Sequence, residues 1–185
     1  VGIDLTPIDA ARSLDVLGPL HPKTVGLGLA SGGCLASAGH YDAAEALLRQ
    51  SLADAQRIYG TDNSDTATLR RLRAVALTGL GRFDEAASEH AIARAIELRL
   101  YGDNPGPAVI GASLAVYNLI RAGQGQRALV ALSEAQAIAA RHLADAPELA
   151  TQLKLLEALA FEANDQGTEA AARFERTREW LAQRG

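Results

Sequence analysis

Leu35-Ala-Ser-Ala-Gly39-His-Tyr41-Asp-Ala-Ala44 and Leu77-Thr-Gly-Leu-Gly81-Arg-Phe83-Asp-Glu-Ala86 are the same sentence written twice, 42 residues apart. Each runs from a large apolar residue through a glycine turn to an aromatic and a small alanine. The step continues downstream. The apolar residue returns as Leu119 and Phe161, the turn as Gly123 and Asp165, and the alanine as Ala128 and Ala170. A second set of turns keeps the same period at Gly18, Gly60, Gly102 and Ala144. A fixed period of this length is the mark of stacked supersecondary units whose neighbours bury a shared core.

Each period holds two helices. First helices are expected at about 23–38, 64–80, 106–122 and 148–163, and second helices at about 41–58, 83–100, 125–142 and 167–183, with a lone helix at about 7–17 ahead of them. The turn glycines end first helices, where a left-handed residue costs glycine least. Asp62-Asn63-Ser64 and Asp103-Asn104-Pro105 supply helix starts, and Pro22, Pro105 and Pro147 fall where a missing amide donor is tolerated. The recurring alanines fit close approach of paired helices.

Composition agrees with an all-α chain. Of 185 residues only 4% are aromatic, and Ala, Leu and Arg dominate over β-branched types. A net charge of -4 spread along the chain gives no support to a nucleic-acid or anionic-membrane role. The longest stretch free of charged residues, Thr24 to Tyr41, is short and rich in Gly, Ser and Ala, and reads as a buried helix rather than a membrane span. The one cysteine, Cys34, lies in that stretch and is expected to be a buried, inert thiol. Gly26, Gly28, Gly32 and Gly33 lack the Gly-Lys-Ser/Thr ending of a phosphate loop and predict a loosely stable helix. His21, His40, His90 and His142 have no metal-ligand spacing, so neither metal nor cofactor is expected; His21 reads as a turn cap. Trp180 is read as a core or capping residue of the last helix.

The motif Leu35…Gly39-His40-Tyr41-Asp42-Ala43-Ala44, repeated from Leu77 to Ala86, resembles the tetratricopeptide repeat (TPR) in the long form of kinesin light chains and many bacterial signalling proteins. Leu17-Gly18…His21-Pro22, Tyr59-Gly60 and Tyr101-Gly102 resemble that form's inter-repeat motif. The resemblance covers nearly the whole chain. It departs at Gly125 and Gly167, where the family has an aromatic, at Asp165, where it has glycine, and at Arg73 and Glu157, where it usually has leucine. Such charges inside a helix pair must reach water, a partner charge or a ligand. For the run Arg70, Arg71 and Arg73 the candidate partners are Asp65, Glu85 and Glu89.

The resemblance implies an all-α right-handed superhelix, an α-solenoid of about nine antiparallel helices forming one TPR-like domain over 1–185. A partial repeat at 1–20 precedes repeats at about 21–62, 63–104, 105–146 and 147–185. It also implies a non-catalytic scaffold that binds protein or peptide in a concave groove lined by first helices. The matching positions include Leu29; Thr68, Arg71, Val75 and Thr78; Ile110, Ser113, Tyr117, Ile120 and Arg121; and Gln152, Leu155, Leu159 and Glu162. Val75, Tyr117, Ile120, Leu155 and Leu159 would give affinity, and Arg71 and Arg121 would select an acidic group beside a bulky apolar one. A single carboxylate among these positions argues against an enzyme.

The chain opens on Val1 and holds no methionine, so a longer parent protein is expected. The alternative function is the ligand-sensing part of a bacterial Ser/Thr kinase or similar signalling protein. It would then be periplasmic rather than cytoplasmic. High Ala, Gly and Arg content with two lysines, Lys23 and Lys154, suggests a GC-rich bacterial gene.

Overall fold

The computed structural model describes residues 16–18, 20–102, 106–142 and 147–183, leaving aside the side chains of 141, 142 and 147. Among these, eight helices and no strand are found: α1 (Pro22–Ser37), α2 (Tyr41–Tyr59), α3 (Ser64–Gly79), α4 (Phe83–Leu100), α5 (Gly106–Arg121), α6 (Gly125–His142), α7 (Pro147–Ala163) and α8 (Gly167–Ala182). Every expected helix of the four pairs is present, to within a residue or two. The lone helix expected at 7–17 lies outside the described residues except for helical Val16 and Leu17.

The helices group into two compact units, Val1–Leu100 and Tyr101–Gly185. In the first, α1 packs on α2, α2 on α3, α3 on α4, and the first helices α1 and α3 on each other. The second repeats this scheme with α5 to α8. The core of the first unit joins Val25, Leu48, Leu52 and Leu69 to Ala36, Ala44, Ala55 and Ala76. The alanines of the 42-residue pattern, Ala44, Ala86, Ala128 and Ala170, are all buried. They let paired helices approach closely, as a larger side chain would not.

All four hairpin turns close through one bond. The amides of His40, Arg82, Gln124 and Gln166 donate to the carbonyls of Leu35, Leu77, Leu119 and Phe161 at 2.9 to 3.0 Å. This is the bond that ends a helix through a left-handed residue. The residue is glycine at three turns and Asp165, with φ 57°, at the fourth. Asp is among the few non-glycine types that tolerate this region, so the departure in the last repeat changes the residue and keeps the turn. Helix starts follow the sequence too: His21 accepts from the Lys23 amide at 3.1 Å, and Asn63 from the Asp65 amide at 2.8 Å. A further tie was not foreseen. Thr24 and Thr66 donate their hydroxyls to the carbonyls of Gly18 and Gly60, pinning the inter-repeat turn in the first two repeats.

The missing aromatic at Gly125 has a steric cause. A Cβ there would stand 2.5 Å from the backbone of Ala163. In the first unit the arrangement is inverted: Tyr41 keeps its ring, and the facing residue is Gly79, whose added Cβ would meet that ring at 2.5 Å. One member of each pair gives up its side chain. Cys34, in contrast to the expectation of a buried thiol, is exposed. The uncharged stretch around it is apolar through small residues, and Cys34 falls outside the face of α1 that holds its buried residues Val25, Gly28, Gly32 and Ala36.

Candidate functional site

The charges at first-helix interior positions are satisfied within the chain. Arg73 donates through Nε and Nη2 to Glu45 Oε1 at 3.0 and 2.9 Å, and through Nη1 to Glu89 Oε1 at 2.5 Å. Arg70 donates to the other Glu89 oxygen at 2.6 Å. The four side chains are 9 to 15% exposed, so this is a nearly dry network. Glu157 finds Arg173 at 3.0 Å, and the Arg173 guanidinium lies 3.8 Å from the Phe161 ring centroid. Of the candidate partners, Glu89 is used. Glu85 instead pairs with exposed Arg82 at 2.6 Å, which lowers the Glu85 carboxyl pKa and raises that of Arg82. Glu45 is the partner that the sequence did not reveal.

Arg71, an expected groove residue, is 2.9 Å from Glu97 Oε1. Glu97 is 3% exposed. Its burial raises the carboxyl pKa, and Arg71 opposes that. His90 is also buried in this unit. Desolvation first, and the Arg71 charge second, lower its pKa from 6.5 to about 4. Arg71 is therefore half-exposed yet committed to a buried carboxylate. Thr68 and Thr78 donate to the carbonyls of Ser64 and Ala74 on their own helix. Val75 is exposed, and Leu29 is half-buried against the core.

The second unit presents a more open face. Ile110, Tyr117 and Arg121 follow one another down α5 at steps of seven and four, all exposed. Arg121 Nη1 donates to the Tyr117 hydroxyl at 3.1 Å and lies 5.9 Å from its ring centroid. On α7, Gln152, Leu155 and Glu162 are exposed, with Leu159 half-buried among them; Ile120 on α5 is half-buried as well. Ser113 departs from the expectation. It is fully buried, and its hydroxyl is spent on the Val109 carbonyl at 3.0 Å, so it offers nothing to a ligand. Trp180 is half-buried, with the Lys154 ammonium 5.6 Å from its ring centroid.

Among the described residues no group of three or more His, Cys, Asp or Glu is placed to hold a metal ion. No helix among them is long and apolar enough to cross a membrane.

Stacked antiparallel helix hairpins with an exposed, partly apolar first-helix face define a helical-repeat array. Residues 27–98 match the family model described as tetratricopeptide repeat. The nearly identical TPR-like repeats of a Podosopora anserina protein described as a kinesin light chain superpose with a TM-score of 0.82 at 21% identity, covering 94% of this chain and 82% of that one. A single-substitution form of the same repeats gives 0.81 at 21% identity, covering 95% and 84%. No curated protein matches the sequence. Residues 27–98 carry the tetratricopeptide-repeat signature, and the fold of the chain is an all-α TPR-like solenoid similar to those repeats.

Proposed function

We propose that this chain is a non-catalytic scaffold that binds a protein or peptide segment on the first-helix face of its repeats. TPR arrays mediate protein–protein interactions, and the observation that carries the reading here is the face of the second unit. Exposed Ile110, Tyr117 and Leu155 form an apolar surface edged by Arg121. Large apolar and aromatic groups left to water beside a fixed cation suit a bulky side chain next to a carboxylate. Glu162 offers a place for a basic residue further along. Arg71 contributes less than the sequence suggests, because its guanidinium is held by Glu97. No observation favours the kinase-sensor reading over the scaffold.

The test is selection from a displayed random-peptide library, with each enriched peptide then measured against Tyr117→Ser/Leu155→Ser. Enriched peptides should pair an acid with a bulky apolar residue, and the double variant should weaken them at least about tenfold. Peptides that bind the variant as well as the wild type would remove this face from the reading. Arg71→Glu is a poor probe, since it would set a second carboxylate against buried Glu97.

A further inference from the structure

We propose that the chain associates with a second copy of itself head to tail, the outer face of α8 in one copy receiving the outer face of α1 in the other. The first unit shows what such a seam looks like. Leu48, Leu52 and Ala55 of α2 join Leu69, Leu72 and Ala76 of α3 in one core. The second helix offers a stripe at steps of four and three, and the first helix after it answers with one at steps of three and four. The second unit repeats the seam between α6 and α7, which bury Leu132 on one side and Leu153, Leu156 and Ala160 on the other.

Two helices carry one half of this seam open to water. On α8 the 42-residue step puts Phe174 at the position of Leu48 and Leu132, and Leu181 at that of Ala55. Phe174 is 37% exposed and Leu181 45%, whereas their counterparts Leu48, Leu132 and Ala55 are at most 2%. A face of a repeat array that is meant for water is polar; this one carries large apolar groups. On α1 the same step puts Leu27, Ala30 and Cys34 at the positions of Leu69, Leu72 and Ala76. Ala76, Asn118 and Ala160 are buried in the other three first helices, yet Cys34 is exposed, with Leu27 and Ala30 half-buried.

The occupant follows from the pattern. What α2 and α6 accept is the stripe of a first helix, and α1 is the described first helix whose stripe is still open. The two halves also fit in size. α8 is larger at both ends of its stripe, with phenylalanine for leucine and leucine for alanine. α1 is smaller in the middle, with Ala30 where α3 and α7 have Leu72 and Leu156. Arg178, at the place of Leu52, is 77% exposed and paired with Glu175, so it stays at the rim with its charge answered. The α1 stripe is uncharged, so the seam buries no unpaired charge. A seam of two helices is small for a protein interface, and half-association is expected at about 0.1 mM.

Sedimentation velocity on the full chain from about 10 µM to about 1 mM tests this. The weight-average coefficient should rise with concentration. Cys34 should react with Ellman's reagent about threefold more slowly at the upper limit, where roughly three quarters of the α1 faces are covered. Phe174→Glu and Cys34→Arg change opposite halves of the seam at exposed positions. Each alone should stay monomeric, and an equal mixture should form a dimer that grows no further, since one intact α8 face then meets one intact α1 face. A wild-type chain that stays monomeric, or that associates with Cys34 still reacting freely, overturns the proposal. So does association of either variant alone, which would mean that like faces pair, and so does a mixture that stays monomeric. If a variant loses helicity, the wild-type series and the Cys34 rate decide the matter on their own.

Discussion

Replacing Arg73 by leucine should strand two carboxylates. Arg73 is the sole described cation that reaches both Glu45 and Glu89, at 2.9 and 2.5 Å. Without it Glu89 keeps Arg70 at 2.6 Å, but Glu45 is left with Arg49, 3.6 Å away on a side chain 66% exposed. Breaking a buried ion pair costs about 3–5 kcal/mol. Because Glu89 keeps one partner and leucine retains apolar contact, the net loss should be about 2–3 kcal/mol. For a chain of this size that corresponds to a fall of roughly 5–10 °C in melting temperature. Urea unfolding followed by helical circular dichroism should show a lower midpoint with an unchanged slope. The control also removes the stranded carboxylate: Glu45→Leu/Arg73→Leu, where leucine at position 45 copies Leu129 one repeat pair later and Glu89 keeps its pair with Arg70. It should recover to within about 1 kcal/mol of wild type, since exchanging a buried ion pair for apolar side chains is close to neutral. If Arg73→Leu alone unfolds like wild type, the carboxylates are effectively solvated. If the double variant is as unstable as the single one, the loss is one of packing, and the electrostatic reasoning fails either way.

The glycines of α1 should divide by what faces them. Gly26→Ala meets nothing within 4 Å and should gain up to about 1 kcal/mol in thermal melts. Gly32→Ala would press on Leu48 at 2.5 Å and should lose about 1–2 kcal/mol despite the same helix-propensity gain. His90 binds its proton less readily when folded, at about 4 against 6.5, so the stability it contributes is full above about pH 6.5 and lost as pH falls through that window. His90→Leu, which copies Leu48 and Leu132, should flatten stability between those pH values by a few kcal/mol relative to wild type; parallel pH profiles would refute it. Exposed Cys34 should react with Ellman's reagent in the native protein at the rate of a small-molecule thiol, and a rate limited by unfolding would contradict its exposure.

The helices, turns and pairing alanines were legible because each is dictated locally. A left-handed turn selects Gly or Asp, close helix contact selects Ala, and both recur at a constant step. The charges were legible only as problems. Arg73 and Glu157 stood out as intruders at leucine positions, but Glu45 lies 28 residues from Arg73, and its role depends on which faces meet in three dimensions. One signal was available and missed: Arg73 and Glu89 are spaced like Glu157 and Arg173, with the signs exchanged. The first-helix face was legible in its large residues, Ile110, Tyr117 and Leu155, and not in Ser113. A serine fits either face of a helix, and here its hydroxyl turns back to its own backbone. Cys34 was misplaced for a related reason, because a run of small uncharged residues does not say which side is covered.

That exchange of signs has a consequence for how the chain finds its own order. Hairpins built to one plan invite mistaken pairing, the first helix of one joining the second helix of another. If α3 joined α8, Arg73 would meet Arg173; if α7 joined α4, Glu157 would meet Glu89. Both mismatches set like charges together, in a nearly dry seam at Arg73 and Glu89 and a partly wet one at Glu157 and Arg173, while the correct pairings join opposite ones. The exchanged signs thus weigh against a swap of partners between the second and fourth hairpins.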